Sequence, residues 1–197
     1  MAASISQPAA VPTVPVPHAL PDWPMVPACH GWLALDARGG WRLRGEAITH
    51  PGLIAFLAAH YTADENGNWL VNNGPQRVYV ELAAAPLILR LHPGGRLVTH
   101  CGHEARVTGA VLVDAEGCAF LATDLGPGMI DDRDLALFAA DLRDVDGAPA
   151  GDEALLALID GQPGPALRWR DLDVVFCARA AIPRRLGFQP RPQALEP

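Results

Sequence analysis

The sequence predicts an α+β fold: two antiparallel sheet-plus-helix lobes built from a repeated hairpin–helix motif. Two observations carry this expectation. An Asp-x-x-Gly reversal between apolar runs occurs at Asp36–Gly39, Asp64–Gly67 and Asp114–Gly117. Helix-start chemistry then follows a hairpin twice, once in each half of the chain. In each reversal an aspartate bonds its own backbone and a glycine takes the left-handed position, which is hairpin chemistry.

In chain order, residues 1–27 read as an extended or disordered arm. Seven prolines between positions 8 and 27 exclude a continuous helix there. Residues 28–92 form the expected N-terminal lobe. Its first helix starts at Thr49-His50-Pro51, with a capping side chain and a proline near the first helical position. Leu53, Phe56, Leu57 and His60 follow on one stripe. Gln76–Leu82 alternates as a half-buried strand, and the apolar run Leu87–Leu91 reads as a central one. Pro93-Gly94-Gly95 is the expected boundary. Residues 96–180 form the second lobe, with a helix over 131–142 led by Asp131, Asp132 and Asp134, whose charges suit a helix N-terminus. A third helix spans 152–160, and a last strand spans 173–178. Residues 181–197 read as an extended surface tail.

Composition removes several chemistries. All 15 basic residues are arginine, which excludes Schiff-base, phosphate-loop and kinase-type lysines. The two serines, Ser4 and Ser6, lie in the proline-rich arm, so a serine nucleophile is not expected. No apolar run approaches the ~18 residues of a membrane span. With no basic, apolar leader, the chain reads as cytoplasmic. Four scattered cysteines (Cys29, Cys101, Cys118, Cys177) read as reduced and mostly buried.

Charge is segregated. Residues 114–160 carry a net −10 and residues 161–197 a net +3. The basic end is expected to pack on the acidic region of its own chain or of a second subunit, which leaves a homodimer open. The overall charge of −7 opposes nucleic-acid binding.

Four segments carry a family resemblance: Gly45-x-x-Ile48-x-His50-Pro51-x-Leu53-Ile54-x-Phe56; Asn73 through Leu82 (NGPQRVYVEL); Thr123-Asp124-Leu125-Gly126-Pro127-Gly128; and Ile182-Pro183-Arg184-Arg185-x-Gly187-Phe188. Over roughly residues 28–190 the chain resembles an uncharacterised proteobacterial family of unknown function. Its element order is also similar to a second uncharacterised bacterial family, a tandem of α+β motifs linked to signal transduction. The resemblance implies a fold and a signalling context, and no catalytic residue.

Two sets of side chains are candidate sites. Arg42 and Arg44 share a face of one strand, and Arg77 and Tyr79 share the outer face of another. If the strands are neighbours, guanidinium groups and a phenol converge on a patch that grips a carboxylate or phosphate. The plainer reading is a polar face of Arg–Glu pairs, with Glu81 as the acid. The second set is His100, Cys101 and His103, which supply ligand types for zinc or copper, although adjacent His100 and Cys101 would point to opposite faces of a strand. The same cysteine, with His100 or His103 as base and Asp124 to orient it, is a candidate nucleophile. Asp64-Glu65-Asn66-Gly67-Asn68 lacks the glycine position and final glutamate of a calcium loop and reads as a turn.

The expectation is a non-enzymatic regulatory or binding module for a small anionic ligand or a protein partner, with no cofactor. The alternative is a small enzyme or metal-binding protein centred on the His/Cys cluster.

Overall fold

The computed structural model describes residues 26–194, so most of the expected proline-rich arm lies outside the described residues. Within them the chain forms a six-stranded and a nine-stranded sheet with a few short helices. The fold is α+β.

The chain proceeds by three-strand meanders. In the first sheet, β1 (Ala28–Leu35), β2 (Trp41–Leu43) and β3 (Glu46–Ala47) are followed by α1 (Pro51–His60). Then come β4 (Tyr61–Ala63), β5 (Trp69–Asn73) and β6 (Gln76–Leu82). The second sheet begins with β7 (Leu87–Leu91), β8 (Leu97–Thr99) and β9 (Glu104–Ala105). It continues through β10 (Val107–Val113), β11 (Ala119–Thr123), β12 (Gly126–Ile130) and α2 (Leu135–Ala140). Its last meander is β13 (Leu142–Asp144), β14 (Leu167–Trp169) and β15 (Leu172–Phe176), with α3 (Asp152–Ile159) inserted after β13.

Three joins between meanders are parallel: β1 with β6, β7 with β12, and β10 with β15. Both sheets are therefore mixed, where antiparallel sheets were expected. Local turns make antiparallel neighbours, but the last strand of one meander returns to the first strand of the one before, and that return runs parallel.

The expected reversals share one geometry, and a fourth occurs at Asp144–Gly147. At Asp36, Asp64, Asp114 and Asp144 one carboxylate oxygen accepts the N–H groups two and four residues on, at 2.8–3.1 Å. Pro93-Gly94-Gly95, expected as a boundary, is the turn joining β7 to β8 inside the second sheet. β7 belongs to that sheet because its Leu87, Ile88 and Leu89 pair with β12.

The α1 cap forms as expected, with the Leu53 N–H donating to His50 Nδ1 at 3.2 Å. The 131–142 segment is corrected. It is a 3₁₀ turn over Asp132–Asp134 followed by the short α2, and Leu142 opens β13. Asp131 and Asp134 are buried rather than spread on a helix face. Asp134 accepts from Arg90 at 2.7 Å and from the Leu91 N–H at 2.8 Å, while Asp131 holds Arg133 at 2.5 Å. The last strand ends at Phe176, short of the expected 178; Val174 is buried in it and Phe176 is exposed, while Cys177, just past its end, is buried.

The extended tail expected from 181 is also corrected. A 3₁₀ turn over Arg179–Ala181 leads into α4 (Ile182–Leu186), which carries a proline in its first turn and ends at Gly187 with φ +76°. Ile182 and Phe188 are buried because they are the apolar anchors of this unit. The basic end does pack back within the chain: Arg179 reaches the buried carboxylate of Asp114 at 2.5 Å. Beyond α4 the chain crosses to the first sheet, where the Gln189 N–H donates to the Gly67 carbonyl and the Leu82 N–H donates to that of Pro190. One continuous core, including Trp41, Val80 and Phe120, runs through both sheets.

Candidate ligand-binding face

The first sheet presents its outer face through β1 and β6. Val78, Val80 and Leu82 are buried, so alternation turns Arg77, Tyr79 and Glu81 outward. β1 is irregular opposite them. Cys29 pairs with Val78 and Leu33 pairs with Val80, so two extra residues bulge from β1. Gly31, at φ +72°, makes the bulge, and a side chain there would be strained. The bulge brings His30 flat against Tyr79, with ring centroids 4.2 Å apart and planes 10° apart.

Next to the bulge, Arg44 stands in the two-residue turn between β2 and β3 at φ +49°. Its N–H donates to the Trp32 carbonyl at 2.8 Å, and its guanidinium lies 3.4 Å from the Trp32 ring centroid. A planar cation on an indole is a preorganised platform for anions and flat ligands.

Of the four expected residues, the structure places Tyr79 and Arg44 in these two stacks. Arg77 is exposed on the same face as Tyr79, with no ion-pair partner among the described residues. Arg42 is committed elsewhere, paired with Asp36 at 3.2 Å and donating to the Gly45 carbonyl. β2 and β6 are not neighbours, since β1 lies between them. The expected direct convergence is corrected to a face bridged by β1. The plainer Arg–Glu pairing is also absent among the described residues: Glu81 has no ion-pair partner, and its carboxylate faces the Gly31 bulge. His30 and Trp32 were missed by sequence reasoning. The available signal was Gly31 between two aromatic-type residues, an interruption of β1 that marks a bulge. The C-terminal segment borders this face, with the Pro192 carbonyl 3.3 Å from His30 Nδ1.

The His/Cys cluster assembles only in part. His100 and Cys101 sit in the reversal after β8, not in a strand, so they meet instead of diverging: Cys101 Sγ lies 3.3 Å from His100 Nε2. The Ile88 N–H donates to His100 Nδ1 at 3.3 Å. Nδ1 is therefore the acceptor, the proton resides on Nε2, and Nε2 donates toward sulfur. The lone pair that would take a thiol proton is already used. Burial among Trp41, Tyr61 and Ile88 lowers the His100 pKa to about 4, and burial raises that of Cys101 to about 11. A thiolate–imidazolium pair requires both shifts in the opposite sense.

His103 is exposed, and Asp124 accepts from the Arg106 N–H at 2.8 Å in the β11–β12 turn. Among the described residues no three His, Cys, Asp or Glu side chains are placed to hold a metal ion. All four cysteines are free thiols, with Cys29 and Cys177 buried. No helix among the described residues is long and apolar enough to cross a membrane.

Comparison with known proteins adds a family and little else. No curated protein matches this chain. A DUF1285 family protein from Silicibacter pomeroyi DSS-3 is 16% identical, with a TM-score of 0.46 over 59% of this chain and 71% of that one. A DUF1285 family protein from Shewanella baltica OS155 is 15% identical, with a TM-score of 0.38 over 54% of this chain and 88% of that one. A family model described as "Protein of unknown function (DUF2946)" matches residues 14–193, nearly the whole sequence, and the chain belongs to that family, DUF2944.

Proposed function

We propose that this chain is a cytoplasmic, non-enzymatic binding module with a regulatory role, and that the outer face of its first sheet takes a small anionic ligand. The observation that carries this is the pair of stacks, Arg44 on Trp32 and His30 on Tyr79, with Arg77, which has no ion-pair partner among the described residues, beside Tyr79. Holding Arg44 at positive φ is unfavourable for a non-glycine residue. The reading of two lobes with a repeated hairpin–helix order is supported by meander, helix, meander recurring in each sheet, around α1 and around α2. The resemblance to tandem α+β signalling proteins supports the regulatory role.

The test is a thermal-shift panel of carboxylates and phosphates on the wild type, Arg77→Ala, Arg44→Gly and the distant Arg168→Ala. Glycine at position 44 accepts the same backbone conformation, so the turn persists. Stabilisation of the wild type and Arg168→Ala, lost in the other two, is the expected result. Absence of any stabilising compound, or equal stabilisation of all four proteins, removes the proposal.

A further inference from the structure

Away from that face, the β7–β8 turn, α2 and the β14–β15 turn meet. There a groove of about 370 Å³ is lined by Leu91, Pro93, Leu137, Ala140, Asp141 and Arg170, with His92 and Gly95 at its turn. That volume suits a small molecule. Leu137, on the groove wall, is 57% exposed.

The polar groups of the groove are a matched pair. Arg170 occupies a left-handed position at φ +58° in a two-residue turn. Its guanidinium lies 4.0 Å from the Trp169 ring centroid and donates to the Gly95 carbonyl at 2.6 Å. A Cβ on residue 95 would come within 2.7 Å of that guanidinium, so glycine there makes room for the arginine. Asp141 stands across from it. Its carboxylate is 4.0 Å from both Arg170 and Arg143 and makes no hydrogen bond among the described residues. Trp169 Nε1, in the ring beneath Arg170, is buried with no hydrogen-bond partner among the described residues. A left-handed non-glycine residue, a charged pair and an apolar wall thus gather at one groove, and backbone strain of this kind concentrates where a protein binds something.

One cation, one anion and an apolar floor define the occupant. A simple anion would meet Asp141, a simple cation would meet Arg170, and an uncharged hydrocarbon would cover the Arg170–Asp141 pair while adding a partner to neither. A zwitterion satisfies both. We propose that this groove binds an aliphatic α-amino acid, with its carboxylate on Arg170, its ammonium on Asp141 and its side chain across Leu91, Leu137 and Ala140.

The experiment titrates the full chain by amide NMR with leucine, with 3-methylbutylamine (no carboxylate) and with 4-methylpentanoate (no ammonium). Leucine is expected to shift the amides of Leu137, Ala140, Asp141 and Arg170, and to bind about tenfold or more tighter than either analogue. Arg170→Asn, whose new residue tolerates the left-handed backbone, and Asp141→Asn are each expected to weaken leucine by a similar factor. No shift at about 10 mM leucine, an analogue binding as tightly as leucine, or undiminished binding in both variants overturns the proposal.

Discussion

His100 should make this protein acid-sensitive well above the carboxylate range. Its Nδ1 accepts the Ile88 N–H, so a second ring proton would set two donors against each other in a buried site. Burial holds the folded pKa at about 4, against 6.5 in the unfolded chain. Because the folded value is depressed, the unfolded state takes up the proton first. The contribution is intact above pH 6.5 and is lost as pH falls toward 4. At about 1.4 kcal/mol per pKa unit, the full loss is about 3 kcal/mol, of which about 2 kcal/mol is gone between pH 7.5 and 5.0. The perturbation is His100→Asn, whose Oδ1 falls near the position of Nδ1 and keeps the acceptor without titrating. The assay is urea unfolding of both proteins at pH 7.5 and 5.0, followed by fluorescence; Trp41 lies 5.6 Å from the imidazole. The wild type should lose about 2 kcal/mol more than the variant over this range. Equal losses in the two proteins would refute the buried, neutral imidazole, and with it the reason for discounting His100 as a base.

Two further predictions concern the reversals. Asp114→Ala strands two backbone N–H groups and removes the partner of Arg179, so it should cost about 3 kcal/mol. Asp144→Ala, in a half-buried copy of the same turn, should cost about 1 kcal/mol; thermal unfolding of the two variants compares them. Gly39→Ala places a Cβ within 2.5 Å of the His100 side chain, whereas Gly117→Ala meets nothing within 4 Å, although both glycines have positive φ. Gly117→Ala should therefore lose only the backbone preference, about 1 kcal/mol, and Gly39→Ala at least about 2 kcal/mol more, read as urea midpoints.

The candidate sites divide along the same line as the fold. Arg77 and Tyr79 could be set on one outer face from the sequence because alternation assigns a strand face without any knowledge of neighbours, whereas Arg44, expected on a strand face with Arg42, stands in the turn after β2. Their real companions, His30 and Trp32, depend on how β1 bulges against β6, which involves residues almost fifty positions apart. Cys101 and His100 looked like catalytic partners on residue type alone. Their chemistry is set by a backbone N–H from β7, a contact no local pattern announces. The groove at Arg170 joins turns from positions 92–95 and 170–171, so it has no counterpart in any window of the sequence.

The amino-acid order by itself determined the aspartate reversals, the α1 cap and the strands 76–82 and 87–91, because each rests on bonds or alternation within a few residues. It also carried the proline and glycine that bound α4, although that helix was read as extended chain. Tertiary structure alone decided the three parallel joins, the placement of β7 in the second sheet and the return of residues 187–192 to the first. Those choices compare distant strands competing for one apolar interior, and only the folded chain makes that comparison.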